Sequence, residues 1–274
     1  MCVRERGAVG IPGVNFKYKF CALIFVRMIN LGYRFKVACN VQRCGVFHDV
    51  FVEYLDDNCR KKNIFMRFKS KKKKPVTMQQ LLSERRCGFS LRKHYKSYIQ
   101  MMEGFYRSEE GVKFEGYFEE SLFILYTNAD VEQKLKSYNA TDFRQDEFLK
   151  TGGSVLQFDE EKHPAIYLHL RYLPRHREFL SQFRIYYSQA DEREMDSHIK
   201  PELQQSMKLP EIQLDIAYMY FYEYISDWCH NSRFFLQDTN SRENDPLRNT
   251  SEYLRRIFGA KNRIRGNPNL TNSI

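Results

Sequence analysis

Apolar side chains recur at Tyr18, Ala22, Phe25, Val26 and Ile29, the spacing of one helical face, and predict a helix from about Val14 to Leu31. Gly32 follows, and glycine closes a helix because it enters the left-handed conformation without steric cost. The period then shortens to two. Tyr33 to Ala38 alternate in type and are rich in aromatic and branched side chains, which suits a strand. A turn around Gln42 to Gly45 separates it from a second strand, Phe47 to Leu55, which ends at the turn-forming cluster Asp56, Asp57, Asn58. Ile64 to Lys69 makes a third strand. Helical spacing returns after Thr77, an N-cap residue type, and again from Leu91 to Phe105. Leu122 to Tyr126 is a short apolar run bounded by Thr127, Asn128 and Asp130, the pattern of a strand buried on both faces.

Helix, three-stranded meander, helices, strand is an α/β order that lays helices against a mixed sheet. The remainder reads as mainly helical with short strands at Val155 to Phe158 and Phe183 to Tyr187. Asp191 to Met207 reads as a charged helix interrupted at Pro201, since proline suits a first turn better than an interior. Ile212, Ile216, Tyr220, Tyr224 and Trp228 recur every four residues and form an apolar face, expected to pack on the core or a partner rather than to stack bases. The expected organisation is a flexible lead-in at 1–13, a core at 14–130, a mainly helical extension packed on it at 131–258, and a disordered tail at 259–274.

With 274 residues, 42% of them apolar and 15% aromatic, the chain has enough apolar surface to bury a core without disulfide staples. Its seven cysteines are odd in number and irregular in spacing, which speaks for a reducing compartment. Cys39, Cys44 and Cys59 include no CxxC pair, so they read as small buried hydrophobes rather than zinc ligands. The residues after Met1 lack the apolar region and small-residue cleavage site of a signal peptide. The most apolar run, Phe20 to Ile29, contains Arg27 and is about half a membrane span. An intracellular protein, cytoplasmic or nuclear, with no membrane contact is expected.

A formal charge of +10 favours encounter with polyanions, and its placement sharpens the point. Arg60, Lys61, Lys62, Arg67, Lys69, Lys71, Lys72, Lys73 and Lys74 put nine positive charges in fifteen residues. Such density attracts phosphate in a salt-dependent way and nominates Arg60, Lys61, Lys62, Lys71, Lys72, Lys73 and Lys74 as nucleic-acid contacts. A solvated loop or a localisation-like signal is the alternative.

Strand periodicity also brings chemistry together. Asp49, Phe51 and Glu53 share one face of the second strand, opposite Val50, Val52 and Tyr54; on the third, Arg67 and Lys69 oppose Met66 and Phe68. A carboxylate and a lysine therefore face one cleft from neighbouring strands, or else Asp49 simply forms a surface ion pair with Arg67 and Lys69. His48 has no second histidine close in sequence and reads as structural. No Gly-x-Ser-x-Gly turn marks a nucleophile, and Thr151-Gly152-Gly153-Ser154 lacks the spacing and lysine of a nucleotide-binding loop.

Several segments carry a resemblance: Tyr18-Lys19 with its helix, Arg34-Phe35-Lys36-Val37-Ala38-Cys39-Asn40, Gly45-Val46-Phe47-His48-Asp49-Val50, Ile64 to Lys69, Phe89-Ser90-Leu91-Arg92-Lys93, Leu125-Tyr126-Thr127-Asn128 and, more weakly, Tyr187-Ser188-Gln189-Ala190-Asp191. Together they resemble the N-terminal region of large animal NACHT and ankyrin-repeat proteins, a region that looks like a PD-(D/E)XK nuclease, with a restriction-endonuclease-like core. That resemblance implies a strand carboxylate followed, on the next strand, by an acidic or amide residue, a spacer and a lysine, which together hold Mg2+ and orient the attacking water. Asp49 matches the carboxylate and metal ligand, and Lys69 the lysine. Arg67 stands at the acidic or amide position, His48 precedes Asp49 where the pattern has an aspartate, and Asn40 ends the first strand in place of a carboxylate. Arginine has no lone pair to offer a metal and repels one by its charge.

Three functions follow. The first is a catalytically impaired pseudo-nuclease module that binds nucleic acid, or serves as an effector or docking domain of a larger NACHT/ankyrin-type protein. The second is an active metal-dependent nuclease using Asp49 and Lys69, and the third a protein-interaction domain without a nucleic-acid role.

Overall fold

The structure is a computed structural model that describes residues 14–70, 74–84, 88–106, 120–140, 148–231, 236–237 and 250–253. The lead-in at 1–13, the lysines at 71–73 and the tail at 259–274 lie outside the described residues.

Helix α1 spans Val14–Asn30 and stops where expected: Gly32 takes φ +72, and the Tyr33 amide donates back to the Met28 carbonyl at 3.0 Å. Strands β1 (Phe35–Cys39), β2 (Val50–Leu55) and β3 (Lys61–Lys69) form the antiparallel meander. A one-turn helix α2 (Met78–Leu81) is closed by a reciprocal cap between Thr77 and Gln80, so the helix expected after Thr77 is short. Helix α3 (Leu91–Tyr106) then crosses over to β4 (Ser121–Thr127), which pairs parallel with β3. Parallel neighbours require such a crossover because a tight turn cannot reverse the chain twice.

Beyond residue 131 come β5 (Ser154–Gln157), α4 (Pro164–Leu170), α5 (His176–Gln182), β6 (Phe183–Tyr187), α6 (Met195–Met207), α7 (Glu211–Asn231) and the two-residue β7 (Leu236–Gln237). All the strands among the described residues join one mixed sheet ordered β5-β6-β4-β3-β2-β1-β7. This corrects the division at residue 130: β6 pairs parallel with β4 from Phe123↔Phe183 to Tyr126↔Tyr186, so the second half completes the sheet rather than packing on a finished core.

The sheet is covered on both sides. Val37, Val50, Val52, Ile64, Met66, Phe68, Ile124 and Tyr126 face α1, α6 and α7 in one buried cluster. Phe51, Phe65, Phe123, Leu125, Phe183 and Ile185 face α3, α4 and α5 in the other. The period of two thus sorts each strand between two cores, giving three layers. Arg27, the charge inside the apolar run of α1, ties α1 to its neighbours in the same layer: its Nε donates to Glu202 Oε1 on α6 at 2.9 Å and its Nη1 to the Phe148 carbonyl at 2.9 Å. Among the described residues no helix is long and apolar enough to cross a membrane.

Two helical expectations need correction. Helix α6 runs through Pro201 without ending there. Burial of Met195, Ile199 and Leu203 offsets the roughly 3 kcal/mol that an interior proline costs. On α7 the buried residues are Ala217, Tyr218, Phe221, Ile225 and Cys229, whereas Ile212 is 82% exposed. The buried stripe lies one residue beyond the predicted one because small Ala217 and Cys229 permit close approach, and bulky Tyr220, Tyr224 and Trp228 fall at the margin. Tyr220 stacks on Tyr253 at 4.0 Å between ring centroids.

Candidate functional site

The chain between β1 and β2 makes a closed excursion. Asn40 and Val41 amides donate to the Asp49 and His48 carbonyls at 3.3 and 2.9 Å, and Gln42–Phe47 form a 3-10 turn at the tip. Gly45 sits at φ 52, ψ −125, and a Cβ there would stand 2.0 Å from Ser97 Oγ. Only glycine fits this backbone. The adjoining Val46 amide donates to Ser97 Oγ at 2.7 Å, which docks the loop on α3. His48 and Asp49 are presented beside β3 as a result, with the Asp49 amide donating to the Met66 carbonyl at 3.2 Å.

Asp49 and Arg67 meet, as the strand period predicted. Arg67 Nη1 stands 3.2 Å from Asp49 Oδ1 and 3.2 Å from Oδ2. Oδ2 also accepts the Phe68 amide at 2.8 Å. The same Nη1 lies 2.9 Å from His48 Nε2, and His48 Nδ1 lies 2.7 Å from the Gly45 carbonyl. An arginine has only donors, so His48 accepts at Nε2 and donates from Nδ1 to Gly45. His48 is therefore a strut for the arginine.

Lys69 lies further along the same strand face, and its Cε would be 3.2 Å from a Cβ at Gly88. Burial first, then the Arg67 and Lys93 charges, push its ammonium below the ordinary lysine value, and Asp49 only partly opposes them. An open cleft of about 460 Å³ is lined by Gly45, Val46, Glu84, Ser90, Arg92, Lys93 and Lys96, among others. Arg92 is paired with Glu84. The site is a cationic surface around one neutralised carboxylate.

Magnesium does not fit this donor set. It needs several oxygen ligands, and the face that Asp49 would turn to a cation is taken by a guanidinium. Glu53, about 13 Å along the strand, is held instead by Lys36 and Lys61 at 3.5 Å each. Asn40 accepts the Lys17 ammonium at 2.5 Å.

The basic segment divides along β3. Arg60 pairs with Asp56 at 3.2 Å, Lys61 with Glu53, and Lys62 with Glu120, so this end is charge-balanced. Lys69 stands about 26 Å away at the other end of the strand. Lys74 is exposed and borders a second cleft, of about 540 Å³, together with Asp130 and Lys136.

One convergence was missed by sequence reasoning. Cys39 Sγ lies 3.0 Å from Cys21 Sγ and 2.9 Å from Cys229 Sγ. Burial opposes ionisation of Cys39, yet the neighbouring thiols as donors and the Lys17 charge outweigh it and hold that thiol at about 5. Cys44, buried alone, is pushed up to about 12 by desolvation. Cys59 is exposed, which corrects its reading as a buried hydrophobe. No family model and no curated protein matches this chain.

Proposed function

We propose that the chain is a nuclease-like module of restriction-endonuclease type that has exchanged catalysis for phosphate binding and engages nucleic acid as a domain of a larger, NACHT/ankyrin-type protein. The order α1, antiparallel β1-β2-β3, crossover α3 and parallel β4 supports the fold assignment. The observation that carries the functional reading is the Arg67 guanidinium, 3.2 Å from both oxygens of Asp49. A fixed organic cation stands where a hydrolytic site keeps its metal, and His48 holds it there.

What remains is favourable to phosphate. Lys93 and Lys96 line one cleft, and Lys69, close enough to Lys93 to feel its charge, is partly desolvated, which strengthens its attraction for an anion. An ammonium binds phosphate as a point charge without reading base sequence, so recognition of backbone rather than sequence is expected.

The test is binding of labelled single- and double-stranded DNA and RNA across a salt series, with cleavage followed in Mg2+ and Mn2+. Salt-sensitive binding without cleavage supports the reading. Cleavage abolished by Asp49→Ala establishes an active nuclease instead, and absence of binding at low salt moves the function to protein interaction.

A further inference from the structure

Cys21 lies on α1, Cys39 ends β1 and Cys229 sits near the end of α7, yet their three sulfurs all lie within 4.8 Å of one another. Among the described residues this is the one group of His, Cys, Asp or Glu side chains with metal-ligand spacing. We propose that Cys21, Cys39 and Cys229 bind zinc(II) as three thiolates, with a solvent molecule completing the tetrahedron.

Thiolates select soft or borderline ions and exclude the hard, oxygen-seeking ones. In a tetrahedral zinc centre with Zn–S of about 2.3 Å, sulfurs stand about 3.8 Å apart. The Cys39 sulfur reaches that separation by moving away from its neighbours by less than an ångström or so on each side, within the reach of a χ1 adjustment. Cys21 and Cys229 are 1% and 2% exposed, and Cys39 is the least buried of the three, so the fourth ligand, a solvent molecule, would enter on its side.

Charge selects zinc over copper(I). Three thiolates leave a divalent ion one negative charge in excess, and Lys17 offsets it: its Nζ is fixed 2.5 Å from Asn40 Oδ1, beside Cys39. A monovalent ion would leave a second, uncompensated negative charge in a largely dry pocket, which is costly. A disulfide would join two sulfurs and strand the third, although Cys39 approaches both partners equally.

The centre ties α7, far along the chain, to α1 and to the end of β1. Asn40 carries the effect onward, since its side chain donates to the Cys229 carbonyl at 3.3 Å and its amide to the Asp49 carbonyl at 3.3 Å. Zinc thus braces the loop that presents Asp49, whether or not the chain binds nucleic acid.

The full chain, purified without chelator, is analysed for metal and then, after metal removal, titrated with cobalt(II) followed by zinc(II). The expected results are one equivalent of zinc, a cobalt–thiolate charge-transfer band in the near ultraviolet that zinc displaces, and a lower thermal midpoint for the metal-free chain. Cys21→Ser and Cys229→Ser abolish the band, and Cys59→Ser keeps it. Should either cluster variant fail to fold, the titration of the natural chain decides. Absence of the band, copper(I) in place of zinc, metal retained by both cluster variants, or a disulfide joining Cys39 to Cys21 or Cys229 in the folded chain overturns the proposal.

Discussion

Arg67 Nη1 lies equidistant, at 3.2 Å, from the two carboxylate oxygens of Asp49, so one guanidinium nitrogen spans the whole acidic edge of the site. The pair is mostly withdrawn from solvent, and Asp49 also satisfies the Phe68 amide. Neither member is expendable alone. Asp49→Ala strands a guanidinium and a buried amide and is expected to cost about 2 kcal/mol of stability. Arg67→Met costs less, because the carboxylate keeps its amide donor. In a double-mutant cycle by urea unfolding, the two changes together cost less than their sum, by about 1 kcal/mol. Strict additivity would mean that the contact stabilises nothing.

Gly45 is predicted to be the most sensitive position of the Asp49 loop. Its backbone has positive φ, and only 2.0 Å would separate an added Cβ from Ser97 Oγ, so alanine strains the backbone and displaces the hydroxyl that accepts the Val46 amide. Gly45→Ala is expected to cost about 2 kcal/mol or more and to weaken nucleic-acid binding, read by urea unfolding and by fluorescence anisotropy. Unchanged stability would show that the loop does not dock on α3 through this turn.

His94 is predicted to make the fold less stable in acid. It is buried between Phe47 and Phe183, and burial first, then the Lys93, Arg67 and Lys69 charges, lower its pKa to about 4. In the unfolded chain it titrates near its ordinary 6.5. The unfolded state therefore binds the proton first as pH falls. Stability from this group is complete above about pH 6.5 and declines by about 1.4 kcal/mol per unit down to about pH 4. Unfolding free energies from urea titrations at pH 7.5 and 5.0 should differ less in His94→Gln than in the natural chain, by about 2 kcal/mol. Equal differences would mean that His94 is not a neutral core residue.

The two ends of the basic segment are expected to behave differently. Lys69→Ala and Lys93→Ala should each weaken nucleic-acid binding on all sequences and lower the salt slope by about one. Lys61→Ala and Lys62→Ala should do little, because Glu53, Glu120 and Asp56 already neutralise that end. Equal effects at both ends would place the contact along the whole strand.

Much of this was legible in the sequence, for identifiable reasons. Alternation along β3, and along β2 carried back one residue to Asp49, has a period of two whatever the tertiary context, and it set Asp49 on the face of Arg67 in advance. Gly32 marked the end of α1 through local backbone chemistry alone. The thiol cluster was not legible, because Cys21, Cys39 and Cys229 are brought together by helix packing on a sheet and share no local spacing. Nor was the continuity of the sheet, since β5 and β6 are short apolar runs whose pairing with β4 is a long-range choice. On α7, apolar residues nearly surround the helix, so periodicity alone missed the buried stripe by one position. The carboxylates that balance Lys61 and Lys62 were visible as residues but not as partners.

We propose that the Arg67 guanidinium stands in the cation position that a metal would take in a hydrolytic site of this type. Its most direct test is Mn2+ binding, followed by electron paramagnetic resonance, in the natural chain, Arg67→Glu and Arg67→Glu/Asp49→Ala, with cleavage of labelled DNA and RNA measured alongside. No site-bound Mn2+ and no cleavage are expected in the natural chain. In Arg67→Glu, which creates a second carboxylate one spacer before Lys69, Mn2+ binding appears, and the added Asp49→Ala change removes it. Mn2+ bound by the natural chain through Asp49, with cleavage, would show that Arg67 does not displace a metal.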